Sequence, residues 1–162
     1  FNLSDKITKK FIEDFKIFGR LTFFNNFLVD SAHNEDSVRN LLNYVNSNFK
    51  DKKLNLFFSC AENKDPLKLL EPFVGIVDRI YLADNVHYKL MPSKKVLSKT
   101  KMLDFTYIVK NSVAELYSLA KNTSSNELNL FIGSFYFSGE FFKFLLELNN
   151  LPTSLSSLKK II

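Results

Sequence analysis

The stretch FLVDSAHNEDSVRNLL, residues 27–42, decides how this chain is to be read. It opens on an apolar run, Phe27, Leu28 and Val29, of the kind that forms a buried strand. It closes on an amphipathic pattern: Val38, Leu41, Leu42, Val45 and Phe49 recur at i, i+3, i+4, i+7 and i+11, one face of a helix. Between them lie an acid, a hydroxyl, a histidine and an amide: Asp30, Ser31, His33 and Asn34. Asn34 suits the N-cap, with acidic residues in the first turn behind it. A strand passing into a helix through a short polar turn is half of a β-α-β unit. The chain has only two histidines, and one of them stands in that turn.

Outward from this stretch the same alternation continues. GRLTFF, then NN as a turn, then FLVDS read as a hairpin-like pair of strands. Residues 5–16 read as a short helix. KLNLFFS is a strand, and KDPLKLLEPFVGIV a helix capped by Asp65 with Pro66 at its first position. RIYLA is a strand. Residues 84–102 are polar and lysine-bearing, a loop or an irregular helix. FTYIV is a strand, and SVAELYSLAKN opens with Ser112 and Glu115 at capping-box spacing. ELNLFIG is a strand and SGEFFKFLLELNN the last helix. LSSLKKII has no reading. The pattern predicts an α/β fold: a Rossmann-like open, mainly parallel sheet with helices on both faces. No repeat is present, and no linker follows residue 16.

Composition narrows the function. The 162 residues suffice for one domain with a full core, and 46% hydrophobic content excludes a disordered chain. A net charge of +5 permits anionic ligands without specifying one. Cys60 is the single cysteine, so no internal disulfide exists and a reducing cytoplasm is the expected compartment. No apolar run approaches the ~20 residues of a bilayer span, and no signal peptide is visible. The first residue is Phe1, which fits a piece of something longer.

In open α/β sheets ligands bind beyond the carboxyl ends of the strands. Three polar clusters fall there: SAHN after residues 27–31, CAENKD after 54–59, and SFYFSGE after 128–133. The four glycines, Gly19, Gly75, Gly133 and Gly139, form neither a G-x-x-x-x-G-K-[ST] loop nor G-x-G-x-x-G. A nucleotide triphosphate would have its main phosphate cradle elsewhere.

With these segments in place a resemblance emerges. FGR followed by FLVDSAHN resembles the PGR…DGAHN signature of folylpolyglutamate synthases and dihydrofolate synthases, in the Mur-ligase-like superfamily. SCAENKD resembles the Lys-Asp segment after the family's next strand, and LFIGSFYFSGEF its closing GS…Y-x-x-GE block. The likeness runs from about residue 5 to 148. Phe18 stands for the motif proline and Ser31 for the motif glycine.

The resemblance implies the C-terminal domain of an ATP-dependent ligase that adds L-glutamate to dihydropteroate and/or folates through an acyl phosphate. It implies residues 1–16 as interdomain linker or short helix, 17–150 as a Mur-ligase-like C-terminal α/β domain, and 151–162 as a tail. An N-terminal ATPase domain would lie outside the chain, carrying the phosphate loop and the ligands for Mg2+. The isolated domain would be inactive. Partners would be that domain, L-glutamate and a pteroate or folate, in a cytoplasmic monomer, without nucleic acid or membrane.

The resemblance also assigns roles. Arg20 would contact ATP at its phosphates, as a guanidinium fork suits. Asp30 would bind the nucleotide, with ribose hydroxyls as donors. His33 would be catalytic, beside the γ-phosphate and the incoming glutamate. Lys64 would pair with a glutamate carboxylate, and Ser134 with the helix N-terminus would receive one. Each has a plainer reading: a surface arginine, a strand-end cap, a turn histidine, a solvated lysine, a tight turn. Tyr136 reads as packing, Glu140 as a first-turn charge and His87 as a surface residue. Cys60 reads as an inert thiol. Five lysines between residues 89 and 101 could attract nucleic acid, but they also read as a solvated loop. A non-catalytic Rossmann-like binding module that kept relic motifs is the alternative.

Overall fold

The computed structural model describes residues 19–152 and 154–158; the helix expected over 5–16 lies outside them. In chain order the elements are β1 (Thr22–Phe24), β2 (Phe27–Val29), α1 (Glu35–Asn48), β3 (Lys53–Phe58), α2 (Pro66–Leu70), β4 (Arg79–Ala83), α3 (Ser93–Thr100), β5 (Thr106–Lys110), α4 (Val113–Ala120), β6 (Glu127–Ile132), α5 (Phe135–Leu148) and α6 (Leu155–Leu158).

The six strands form one sheet in the order β1-β2-β6-β3-β4-β5. Only β1 runs antiparallel, as the first arm of a hairpin that turns at Asn25, where φ is +51°. The other four pairings are parallel. β6, last in sequence, lies between β2 and β3, so the end of the chain's last strand sits between the ends of two early ones.

Alternation along the strands sends side chains to two cores. Leu28, Leu56, Phe58, Ile80, Leu130 and Ile132 pack on the side that carries Val38, Leu41, Leu42 and Val45 of α1, with Leu69 and Leu70 of α2. Phe27, Val29, Phe57 and Phe131 pack against Leu116 of α4 and Phe137, Phe141 and Leu145 of α5. Phe57 and Phe131 stack across the β3–β6 pair at 4.4 Å, and Phe131 meets Phe141 at 4.3 Å. Most of the described phenylalanines are therefore core, as expected, and helices cover both faces.

Two boundaries differ from expectation, and the choice left open over residues 84–102 is decided. The helix after Asp65 ends at Leu70 and passes into a 3-10 turn, Glu71–Phe73. Pro72 has no N–H to continue the α-helical ladder. Residues 84–102 do hold a helix, α3. The helix expected from Ser138, α5, starts at Phe135 because the Ser134 hydroxyl accepts from the Tyr136 N–H and caps it there. Glu140 accordingly lies in the second turn, beyond the reach of the favourable first-turn dipole.

Candidate functional site

The carboxyl edge of the sheet is where the local chemistry converges. Asn34 caps α1 with a complete capping box: its side chain accepts from Ser37 N–H at 2.8 Å, and Ser37 Oγ accepts from Asn34 N–H at 3.2 Å. That cap sets the turn carrying His33. The His33 Nδ1 stands 2.8 Å from the Ser31 carbonyl. A carbonyl only accepts, so Nδ1 carries the hydrogen, and in the neutral ring Nε2 is the acceptor.

Asp65 caps α2, its carboxylate accepting from Leu67 N–H at 3.1 Å, which ends the loop that carries Lys64. Gly133 closes β6 with φ at +110°, and a Cβ there would stand 2.5 Å from the Ser59 carbonyl oxygen. Glycine is obligatory at this close approach. It lets the end of β6 sit against the end of β3 and turns the chain into the α5 cap.

A cavity of about 300 Å³ opens at this edge, lined by His33, Asn63, Lys64, Gly133, Ser134 and Phe135 among others. Three of the sequence-derived candidates, His33, Lys64 and Ser134, thus share one cavity, each from a different strand end. Ser134 is buried, and the N-terminus of the 14-residue helix α5 opens beside it. Ser59 Oγ, at the end of β3, is the buried side-chain polar atom left without a partner among the described residues.

Arg20 and Asp30 stand apart, in a neighbouring cavity of about 250 Å³ that Leu21, Asn40 and Tyr44 also line. Asp30 is 6% exposed. Its Oδ2 accepts from Leu21 N–H at 2.8 Å and its Oδ1 from Ala32 N–H at 2.7 Å. The carboxylate therefore clamps the Gly19–Leu21 turn, including Leu21 at φ +43°, to the end of β2. Burial pushes the Asp30 carboxyl above its ordinary value; the two backbone donors, and then the charges of Arg20 and His33, pull the other way. Arg20 Nη1 is 3.9 Å from Asp30 Oδ1, and its guanidinium lies 4.8 Å from the centre of the Phe135 ring. His33 meets the same ring at 5.4 Å. Phe135 is thus a wall of the His33 cavity whose ring also meets Arg20.

Sequence reasoning missed that wall and its extension. Phe135 and Tyr136 are exposed at the first turn of α5. Tyr136 lines the His33 cavity and stacks on His87 at 4.8 Å, with Tyr88 on the far side of His87 at 4.7 Å. So Tyr136 does pack, but on His87 at the cavity edge, and His87 is half-buried by it. Lys89 Nζ stands 4.9 Å from the centre of the Tyr136 ring. The aromatic pair directly after a strand-end serine was the available signal. Cys60 is fully buried, and burial pushes its thiol up to about 12, in keeping with an inert group.

A sheet of this order, covered on both faces and pocketed at its carboxyl edge, defines the class: a Rossmann-like α/β domain. The family follows from the sequence, since residues 23–144 match the family model described as dihydrofolate synthetase, C-terminal domain, and the chain belongs to that family. Among solved structures it is similar to E. coli FolC in complex with DHPP and ADP, with a TM-score of 0.78 and 17% identity over 93% of this chain and 36% of that one. Mycobacterium tuberculosis folylpolyglutamate synthase, complexed with ADP and AMPPCP, gives 0.76 and 13% over 88% and 35%. Thermotoga maritima folylpolyglutamate synthase gives 0.71 and 16% over 98% and 37%. At such identities the likeness is one of fold. The chain spans little more than a third of each of these proteins. Comparison with curated proteins by sequence returns no match.

Proposed function

We propose that this chain is the C-terminal domain of an ATP-dependent ligase that adds L-glutamate to dihydropteroate and/or folates, working in the cytoplasm together with an N-terminal ATPase domain. The observation that carries the reading is the single cavity that gathers His33, Lys64 and Ser134 from three strand ends. The family membership and the structural likeness support it.

ATP, as co-substrate, supplies the phosphoryl group that activates the acceptor carboxylate as an acyl phosphate. The residues on the ATP side fit an anion. Among the described residues Arg20 has one long ion pair and lies over the Phe135 ring, an arrangement in which its fork can take phosphate oxygens. Asp30 keeps the Arg20 turn in place and has unfilled lone pairs for ribose hydroxyls. The reading assigns the ligands for Mg2+ to the ATPase domain, and among the described residues no group of three or more His, Cys, Asp or Glu stands where it could hold a metal ion.

On the glutamate side, Lys64 and the α5 N-terminus at Ser134 offer positive potential to a carboxylate. His33, with its Nδ1 hydrogen committed to the Ser31 carbonyl, presents Nε2 to orient the incoming amine and accept its proton. The amine nitrogen forms the new bond to the carbonyl carbon, and phosphate departs with the bonding pair. Closure of two domains would exclude water from the acyl phosphate.

The test is phosphate release by the full-length protein given ATP, magnesium, dihydropteroate or a folate, and glutamate, with this chain alone alongside. Glutamate-dependent release by the full-length protein and silence from the chain alone are expected. His33→Ala should lower that release by about 100-fold, the scale of a lost general base. No release on either acceptor would overturn the reading in favour of a non-catalytic module.

A further inference from the structure

The cavity holding His33, Lys64 and Ser134 has one ammonium and one helix N-terminus, enough for one carboxylate. An acidic amino acid brings two. The adjoining wall supplies a second cation. Lys89 Nζ lies 4.9 Å from the centre of the Tyr136 ring and 5.6 Å from that of Tyr88, and Tyr136 lines the cavity. The Tyr136 phenol, by hydrogen bonding first and by charge second, raises the Lys89 ammonium above the ordinary lysine value.

The loop that carries Lys89 is tied down. Lys89 N–H donates to His87 Nδ1 at 3.1 Å, and the Lys89 carbonyl accepts from Glu62 N–H at 3.2 Å. Ala61 and Leu90 form an isolated antiparallel bridge, so the Lys89 loop is stitched to the loop of Lys64. The acids of the Lys64 loop are already engaged: Glu62 is paired with Lys95 at 2.8 Å, and the Asp65 carboxylate accepts from Leu67 N–H at 3.1 Å. Neither Lys64 nor Lys89 has an ion-pair partner among the described residues. Two cations without an ion-pair partner among the described residues, one lining the cavity and the other beside the Tyr136 ring that lines it, suit a ligand with two negative charges.

Resting on the ligase reading above, we propose that Lys89, steadied by Tyr136 and the His87 stack, is a specificity residue that receives the side-chain carboxylate of the amino-acid substrate, while Lys64 and Ser134 take its α-carboxylate. The site selects a dicarboxylic amino acid over its neutral amide because only the former pairs with Lys89.

The experiment is steady-state turnover of the full-length protein with glutamate and, separately, with glutamine, for wild type, Lys89→Met, Lys89→Arg and Tyr136→Phe. Loss of one charge-assisted pair predicts about a tenfold rise in KM for glutamate in Lys89→Met, an unchanged KM for ATP, and the glutamate-over-glutamine preference falling by the same factor. Lys89→Arg should restore most of it, and Tyr136→Phe should fall between. An active wild type whose Lys89→Met variant keeps its KM for glutamate, or raises the KM for ATP in parallel, would overturn the assignment and leave the ligase reading standing. A wild type without glutamate-dependent turnover would remove both.

Discussion

Gly19 and Ser31 fit together because one of them has no side chain. A Cβ on Gly19, at φ +77°, would stand 2.7 Å from Ser31 Oγ, and the Gly19 carbonyl accepts from the Ser31 N–H at 2.7 Å. The family motif has glycine at position 31, but Ser31 is not among the positive-φ residues, so its backbone makes no demand for glycine. Its hydroxyl donates to Ser138 Oγ at 3.1 Å, and Ser138 Oγ donates to the Ser134 carbonyl at 3.2 Å. The substitution ties the Arg20 turn to the first turn of α5.

Gly19→Ala should therefore destabilise the fold by about 2 kcal/mol, combining left-handed strain with a clash in a packed turn. Ser31→Gly in the same background should return the clash part and not the strain part. Urea denaturation of the two variants and the double variant measures the difference.

Gly133→Ala should be worse. The added carbon would meet the Ser59 backbone oxygen at 2.5 Å and the Phe58 ring at 2.9 Å, and backbone cannot swing aside as a side chain can. A loss of roughly 3 kcal/mol or more is expected, with the β3–β6 pairing opened beside the cavity. Amide exchange at Ser59, whose N–H bonds the Ile132 carbonyl, reads this locally.

Asp30 gives a pH signature. Burial raises its pKa above 3.8, so the folded chain binds this proton more tightly than the unfolded chain. The stabilising share is complete below 3.8 and is lost as pH rises through the folded-state value. The stability of wild type relative to Asp30→Asn should thus fall as pH climbs from below 3.8. On top of this, Asp30→Asn leaves either the Leu21 or the Ala32 N–H without its acceptor, about 1–3 kcal/mol at every pH. Urea midpoints across the acid range separate the two effects.

Cys60 should resist alkylation. With its thiol fully buried and pushed up to about 12, almost no thiolate exists at neutral pH. Iodoacetamide labelling should track global unfolding in urea and be negligible without it. Rapid labelling of the folded chain would contradict the buried placement.

Residue by residue, what could be read in advance was local. The Asn34 cap, the Asp65–Pro66 start and the i, i+3, i+4 face of α1 need only neighbouring residues, and all three stand as expected. Half of the Ser112–Glu115 box is present: Ser112 Oγ accepts from Glu115 N–H, while the Glu115 carboxylate takes the Ser112 hydroxyl. Helix α3 was not legible because its cap is remote. Pro92 offers no side-chain cap, and the Asp84 carboxylate, nine residues earlier, accepts from both Ser93 N–H and Ser93 Oγ.

The sequence by itself determined the alternation of strands and helices, the parallel sheet that alternation requires, and the polar strand ends where chemistry could gather. Those are consequences of side-chain period and capping, which act over a few residues. Only the tertiary structure decided that β6 inserts between β2 and β3, so that Ser134 arrives between His33 and Lys64 while Arg20 and Asp30 fall into the next cavity. It alone brought Tyr136 against His87 and Lys89, 49 and 47 positions earlier in the chain. Strand order is set by how two cores close around one sheet, and that balance is spread over every buried residue instead of being written at any one of them.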